Sequence, residues 1–127
     1  MHIFAYMKNT IDKYKAIGEE TRIRILKLLD SEKNGIYVCE LVDILKKPQY
    51  SISKNLQILK RADLIYEHRS GKMIKYHLQT NSELNTLLIK GLSVIDSAKT
   101  NSIFDQDLHE KKERLSRRSS TGCTIQN

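Results

Sequence analysis

Apolar residues recur at spacings of three and four in several segments of the chain, which is typical of helices that bury one face. This pattern predicts helices over about residues 9–17, from residue 19 to a polar loop at 30–35, and over 39–46, 49–62 and 81–100. Gly18 ends the first helix. Pro48 is expected to open the helix at 49–62. An N–H at the first helical position has no acceptor within the helix, so a proline there loses no hydrogen bond.

Short β-prone runs lie between these helices. Ile36 to Val38 predicts a brief strand. The runs from Ile65 to Arg69 and from Met73 to Leu78 are separated by Ser70-Gly71-Lys72, and a glycine-containing turn between two such runs is typical of a β-hairpin. The predicted fold class is therefore α+β and mainly helical.

The segment from Gln49 to Ala62 has the clearest division between two faces. Ile52, Leu56 and Leu59 follow each other at +4 and +3 and are expected to point inward. The opposite face mixes hydroxyl groups, an amide and cations, from Ser51, Ser53, Lys54, Gln57, Lys60 and Arg61. Such groups contact the phosphates and base edges of DNA, so this helix is a candidate for DNA recognition.

The distribution of charge supports the same partner. The chain carries 22 Lys and Arg against 15 Asp and Glu, a formal net charge of +7. From Lys46 to Lys75 there are eight basic residues and only two acidic ones, Asp63 and Glu67. A solvated basic face is one interpretation, but lysines dispersed for solubility would not concentrate in one segment, so a polyanion is the favoured partner.

The predicted order of elements is that of a winged helix-turn-helix, in which a dimer contacts two half-sites of double-stranded DNA. Residues 1–100 would form the DNA-binding and dimerisation domain, and residues 101–127 a polar tail that is a candidate part of a sensing site. An apolar stripe in the helix at 81–100 needs a second surface: Leu84, Leu87, Leu88, Leu92, Ile95 and Ala98. Another copy of the chain would cover it in a homodimer, and packing against the first helix is the alternative.

Other classes of protein fit poorly. No apolar run approaches the roughly 20 residues that cross a bilayer, and the N-terminus does not resemble a signal peptide. Two cysteines are too few for a disulfide framework, so we expect a cytoplasmic protein. No Gly-rich phosphate loop, paired-carboxylate site or nucleophile–base arrangement indicates an enzyme, and no enzymatic cofactor is predicted.

Three segments, in the same order, resemble the ArsR/SmtB family of winged-helix repressors over roughly residues 14–78. Residues 16–26 read AIGEETRIRIL, which is similar to that family's ALGxxTRLRIL. Residues 49–59 read QYSISKNLQIL, similar to QPTVSRHLKVL in its recognition helix. Residues 69–78 read RSGKMIKYHL, similar to RxGRxVxYxL in its wing.

With this resemblance, Ser53 and Gln57 are candidates for contacts to base edges. The complete predicted DNA-binding set is Gln49, Ser51, Ser53, Lys54, Gln57, Lys60, Arg61, Arg69 and Lys72. Lys54 stands where the family usually has Arg, and Asn55 where it usually has His. Both side chains are polar and are expected to reach DNA. The departures therefore affect which operator sequence is bound and leave the mode of binding unchanged.

The resemblance also implies release from DNA when a ligand binds. An arsenic- and cadmium-sensing branch often carries CVC followed by an acidic residue and Leu, whereas residues 37–41 read YVCEL, which keeps the second cysteine. The tail from Arg114 to Cys123 is similar in spacing to the cysteine-bearing tails of some arsenical regulators of the family. The resemblance therefore makes Cys39 and Cys123 the candidate thiolate ligands of As(III) or Sb(III), ahead of Cd(II) or Zn(II). Redox or other-ligand sensing, idle thiols, and a protein-interaction module that does not bind DNA remain as alternatives. Asp105, His109 and Glu113 are interpreted as a solvated charged face.

Overall fold

The computed structural model describes residues 2–94 and 102–118, which form six helices and three strands. In chain order the elements are α1 (His2–Ile17), α2 (Glu20–Ser31), β1 (Ile36–Tyr37), α3 (Val38–Leu45), α4 (Gln49–Arg61), β2 (Ile65–Ser70), β3 (Met73–Leu78), α5 (Glu83–Leu92) and α6 (Ile103–Ser116). Each element predicted within residues 9–78 is present. Helix α1 begins seven residues earlier than predicted, and the other ends shift by no more than two residues.

Local chemistry sets the ends of the central helices. The Glu19 carboxylate accepts the backbone N–H of Arg22 at 3.1 Å and so caps α2. Lys46 ends α3 in the left-handed conformation, with φ at 56°, and its N–H donates to the Val42 carbonyl. Pro48 is the N-cap residue of α4, one position before the first helical residue. The tight connection between α3 and α4 makes a helix-turn-helix.

The three strands form one antiparallel sheet in the order β1-β3-β2. Ser70 pairs with Met73 across a two-residue turn in which Gly71 has φ at +64°. Glycine adopts this conformation without a steric cost. The predicted hairpin is confirmed, and it follows α4 directly as a wing.

The core lies between the helix-turn-helix, α2 and the base of the hairpin. Ile52, Leu56 and Leu59 are at most 1% exposed, as the spacing predicted. They pack in one cluster with Ile25, Leu26, Leu28, Leu29, Ile36, Leu41 and Ile65. Burying each such side chain contributes roughly 1.5–3 kcal/mol to folding, which fixes the face that α4 presents to solvent.

The C-terminal third differs most from the sequence prediction. The helix predicted over residues 81–100 ends at Leu92, where the Ser93 hydroxyl donates to the Lys90 carbonyl at 2.6 Å. Gly91, a weak helix former, precedes this end. Ile95 and Ala98 of the predicted stripe lie outside the described residues.

Residues 103–116, predicted as part of a polar tail, form the helix α6, which packs against α2 and α3. The Arg24 guanidinium donates two hydrogen bonds of 2.8 Å to Asp107, and both residues are buried. Arg114, 3% exposed, donates to Asp43 at 2.6 Å. Ion pairs therefore hold α6 against α2 and α3. The spacing of hydrophobic residues in the sequence gives no information about such pairs.

Within residues 2–94 and 102–118, none of the helices has both the length and the apolar character that crossing a membrane requires.

Candidate nucleic-acid interface and cysteine site

The predicted polar face of α4 is exposed to solvent. Gln49, Ser53, Lys54, Gln57, Lys60 and Arg61 are all exposed, and Ser51 is half-buried. Because Ile52, Leu56 and Leu59 hold the opposite face in the core, these side chains project away from the protein. An exposed helix face of hydroxyls, amides and cations, backed by a rigid core, has the chemistry to contact a DNA groove.

The wing extends this polar surface. Arg69 and Lys72 are exposed at the hairpin tip. Lys72 and Gln49 both line one cleft of about 260 Å³, so the tip of the wing is adjacent to the start of α4. The structure therefore brings the two predicted groups of DNA-binding residues onto one side of the molecule.

Lys60 is engaged within the protein. Its ammonium group donates to the Glu67 carboxylate on β2, and this hydrogen bond, with the nearby cation, lowers the pKa of Glu67. The pair links the last turn of α4 to the wing. Both side chains stay partly exposed.

The expectation for Asn55 was wrong. This residue was predicted to keep polar reach toward DNA, but it is 7% exposed and turned inward. Its side-chain oxygen accepts from Arg22 Nη1 at 2.9 Å, and its Nδ2 donates to the Ser51 carbonyl at 2.9 Å. Arg22 Nε in turn donates to the Ala16 carbonyl. Asn55 ties the recognition helix to the α1–α2 junction, so of the two departures from the family pattern only Lys54 faces solvent.

Cys39 is the second residue of α3 and is half-buried. It lines the same cleft as Gln49 and Lys72, together with Met73 of the wing. Arg114 Nη2 lies 3.9 Å from the Cys39 sulfur. Cys39 is disulfide-bonded in the structure. The Cys39 side chain therefore lies close to both the start of α4 and the wing.

The second predicted ligand, Cys123, lies outside the described residues. No group of three or more His, Cys, Asp and Glu side chains converges as a metal site within residues 2–94 and 102–118. Asp105, His109 and Glu113 are exposed on α6, as expected for a solvated face.

A cluster of charges around the start of α3 was missed by sequence reasoning. Arg118 donates to both carboxylate oxygens of Glu40, at 2.7 and 2.8 Å, and to the Gly35 carbonyl. Glu40 is fully buried and accepts the backbone N–H of Tyr37. These hydrogen bonds raise the pKa of Arg118. The available signal in the sequence was Glu40 itself, an acidic residue among apolar neighbours. If such a residue is buried, it needs a cationic partner.

A second buried polar node joins the helices at the other end of α4. Lys13 Nζ donates to Asn85 Oδ1 at 2.7 Å, and Asn85 Nδ2 donates to the carbonyls of Asp63 and Gln79. Burial lowers the pKa of Lys13. The node connects α1 and α5 to the loop that follows the recognition helix.

One apolar face of α1 is exposed. Met7, Ile11 and Tyr14, spaced at +4 and +3, are 54%, 46% and 57% exposed, and Leu87 on α5 is 58% exposed. Leu87 belongs to the stripe for which the sequence predicted a second surface. An apolar stripe left in solvent is typical of a surface that another chain covers.

Comparisons with known proteins agree with this geometry. Residues 19–67 match the family model of the bacterial regulatory protein, arsR family. An uncharacterized HTH-type transcriptional regulator of Methanocaldococcus jannaschii is 43% identical over 65 residues, which cover 51% of this chain and 72% of that protein. The arsenic resistance transcriptional regulator ArsR2 of Pseudomonas putida is 31% identical over 100 residues, which cover 79% of this chain and 84% of that protein.

Among solved structures, the homodimeric winged helix-turn-helix DNA-binding domain Mb0332 of Mycobacterium bovis is similar, with a TM-score of 0.62. The match covers 72% of this chain and 81% of that one, at 24% identity. At this identity the likeness shows the fold alone, and the predicted winged helix-turn-helix is confirmed.

Proposed function

Because the chain is a winged-helix transcriptional regulator of the ArsR family, we propose that it represses transcription as a homodimer bound to operator DNA. The observation that carries this proposal is the exposed polar face of α4, which lies beside the basic tip of the wing. Ser53 and Gln57 would contact base edges in the major groove. Lys54, Lys60, Arg61, Arg69 and Lys72 would contact the phosphate backbone.

The homodimer is supported by the exposed apolar face of α1, formed by Met7, Ile11 and Tyr14, and by the exposed Leu87 on α5. A second copy that presents the same face would cover it around a two-fold axis. Two recognition helices would then meet two half-sites about one turn of DNA apart. The homodimeric state of the similar Mycobacterium bovis domain fits this arrangement.

We further propose that a soft metalloid, As(III) or Sb(III), releases the repressor by binding Cys39 and Cys123, with Cd(II) and Zn(II) as weaker candidates. Thiolates are the side chains that soft ions prefer. The Arg114 guanidinium beside Cys39 favours a thiolate once the sulfur is reduced. Since Cys39 lines the cleft between Gln49 and Lys72, a ligand there would move the recognition helix relative to the wing. The relationship to an arsenic resistance regulator also supports this inducer.

The test is a titration of the reduced protein with As(III), Sb(III), Cd(II) and Zn(II), while binding to a fluorescent operator duplex is followed. Arsenite is expected to release the wild-type protein. Cys39→Ser and Cys123→Ser are expected to bind the duplex normally and to resist release. His109→Gln, on the exposed face of α6, is the matched control and should respond as the wild type does. Equal release of all four proteins would refute the cysteine site.

A second candidate is a redox switch, which the disulfide-bonded state of Cys39 favours. Two thiols would transfer two electrons and two protons to hydrogen peroxide, giving one disulfide and two molecules of water. Peroxide would then release the wild-type protein but neither cysteine variant, whereas arsenite would release none of the three. The two inducers therefore separate the two mechanisms in one set of proteins.

The salt dependence of binding separates DNA recognition from a protein-interaction module. About eight phosphate contacts in the dimer predict a slope near −7 when the logarithm of the binding constant is plotted against the logarithm of salt concentration. Replacing Lys54, Lys60 and Arg69 together by Gln should abolish binding at moderate ionic strength. Unchanged affinity in this variant would refute the DNA-binding proposal.

A further inference from the structure

Among the residues that the structure describes, Tyr50 is the most exposed large hydrophobic side chain, at 78%. It is the second residue of α4, directly after Gln49 and the N-cap Pro48. Because its ring lies in solvent, Tyr50 does not contribute to the packing of the core. It is also separate from the apolar face of α1 and α5, which we assign to the dimer.

The position of Tyr50 along α4 places it among the proposed base-reading residues. Tyr50, Ser53, Lys54 and Gln57 follow at +3, +4 and +7, which is one face of a helix. Ile52, Leu56 and Leu59 hold the opposite face in the core. A docking that brings Ser53 and Gln57 to base edges therefore brings the Tyr50 ring into the same groove. The N-terminal residues of a recognition helix are those that reach the bases.

We propose that Tyr50 is a specificity-determining residue that contacts the methyl group of a thymine in the major groove of each half-site. The thymine methyl is the one apolar group that a base presents there, and apolar side chains recognise it. An aromatic ring on a rigid helix is suited to this contact because it loses little conformational entropy on binding. The inference rests on the proposed function and adds the class of base that one residue reads.

The test begins with duplexes selected by the wild-type protein from a random-sequence pool. On the selected duplex, Tyr50→Ala should weaken binding about fourfold at each half-site, or about fifteenfold for the dimer, the loss expected for one methyl contact per half-site. Affinity for an unrelated duplex and the salt slope should not change. Tyr50→Phe keeps the ring and should bind as the wild type does.

Replacing single thymines by deoxyuridine removes only the methyl group. At one position in each half-site this replacement should weaken wild-type binding as much as Tyr50→Ala does, and should cause no further loss in that variant. Tyr66→Ala removes an exposed tyrosine of β2 that does not belong to the proposed DNA-binding set, and serves as the control. Urea unfolding confirms that each variant is folded.

Three results would overturn the inference. The first is wild-type affinity in Tyr50→Ala, and the second is a loss in Tyr50→Phe as large as in Tyr50→Ala. The third is that, at every thymine position tested, the losses from Tyr50→Ala and from deoxyuridine add in full. The second result would assign the hydroxyl to a phosphate. If the wild-type protein selects no sequence at all, the proposed function itself fails, and that outcome is distinct from these three.

Discussion

Gly35 lies in the turn before β1, where the backbone passes directly beside the His77 ring. Its φ is +87°, and a Cβ atom there would lie 2.6 Å from His77 Cε1. Gly35→Ala therefore combines a left-handed backbone with a steric overlap. We expect this substitution to lower the free energy of unfolding by more than about 3 kcal/mol, measured by urea denaturation.

Gly71, at the hairpin tip, separates these two effects. Its φ is +64°, but a Cβ atom there would have no atom within 4 Å apart from those of Gly71 and its two chain neighbours. Gly71→Ala should cost only the backbone penalty, about 1 kcal/mol. Equal losses in the two variants would show that the approach of Gly35 to His77 contributes nothing to the destabilisation.

His77 gives the stability of the protein a dependence on pH. Burial lowers the pKa of its ring below 6.5, and the Lys75 and His68 cations act in the same direction, while a hydrogen bond to the Lys33 backbone opposes them. The unfolded chain then binds a proton more readily than the folded one, so stability falls as the pH drops through about 6.5. The urea midpoint of the wild type should decrease from pH 7.5 to 5.5.

His77→Phe keeps an aromatic ring to stack on Tyr66, which lies 5.1 Å from the His77 ring, and removes the titration. The decrease in urea midpoint over this pH range should therefore be smaller in His77→Phe than in the wild type. His109→Gln, at an exposed position on α6, should retain the wild-type decrease. An identical pH dependence in all three proteins would contradict the assignment to His77.

At the scale of elements, buried ion pairs decide the position of α6. Hydrogen bonds to Asp107 raise the pKa of Arg24, which keeps this buried guanidinium charged. Asp107→Ala would leave the Arg24 cation buried without a partner, at a cost of about 3–5 kcal/mol. We expect the free energy of unfolding to fall by this amount, or α6 to separate from α2, detected as increased hydrogen exchange in α6.

Glu110, also on α6, provides the matched comparison. It pairs with Lys46 at 3.7 Å, and the Lys46 side chain is 65% exposed. Exposed pairs of this kind contribute less than about 1 kcal/mol, so Glu110→Ala should leave both the stability and the docking of α6 nearly unchanged. A loss as large as that of Asp107→Ala would mean that burial is not the source of the difference.

The same helix connects the cysteine site to the body of the protein. Arg114 contacts Cys39 and Asp43, and Arg118 reaches Glu40, so the last turn of α6 and the residues just after it meet the first turns of α3. The Tyr37 ring contacts both the Arg118 guanidinium and the Lys75 ammonium of β3, at 5.3 and 5.2 Å from the ring centroid. Direct contacts therefore join the start of α3 to α6 and to the wing.

At the scale of the whole molecule, the apolar face of α1 predicts the oligomeric state. Ile11 lies in the middle of this face, between Met7 and Tyr14. Ile11→Glu would place a charge in the proposed dimer interface and should give a folded monomer in analytical ultracentrifugation. Operator affinity should fall by about 100-fold or more, because the two half-sites are no longer bound together.

Leu108 on α6 is 39% exposed and lies outside the proposed dimer face. Leu108→Glu introduces the same charge and should leave both the dimer and operator affinity intact. A dimer that persists in Ile11→Glu would refute this interface.

Much of the fold and of the candidate DNA surface follows from the sequence alone. The spacing of Ile52, Leu56 and Leu59 assigns one face of α4 to the core, because a helix fixes the direction of each side chain. The exposed set opposite them follows by the same rule. Gly71 between two β-prone runs likewise fixes the hairpin, since the turn requires its backbone conformation.

Only the tertiary structure decided the rest. Nothing local indicates that Asn55 turns toward Arg22, that Lys60 pairs with Glu67, or that α6 docks through Arg24 and Asp107. Each contact joins groups that are distant along the chain or that have several possible partners. A charged residue carries no periodic signal of its partner, because its pairing depends on which surfaces the folded core brings together. The sequence therefore determined the elements and their buried faces, and the packing of those elements selected the polar contacts.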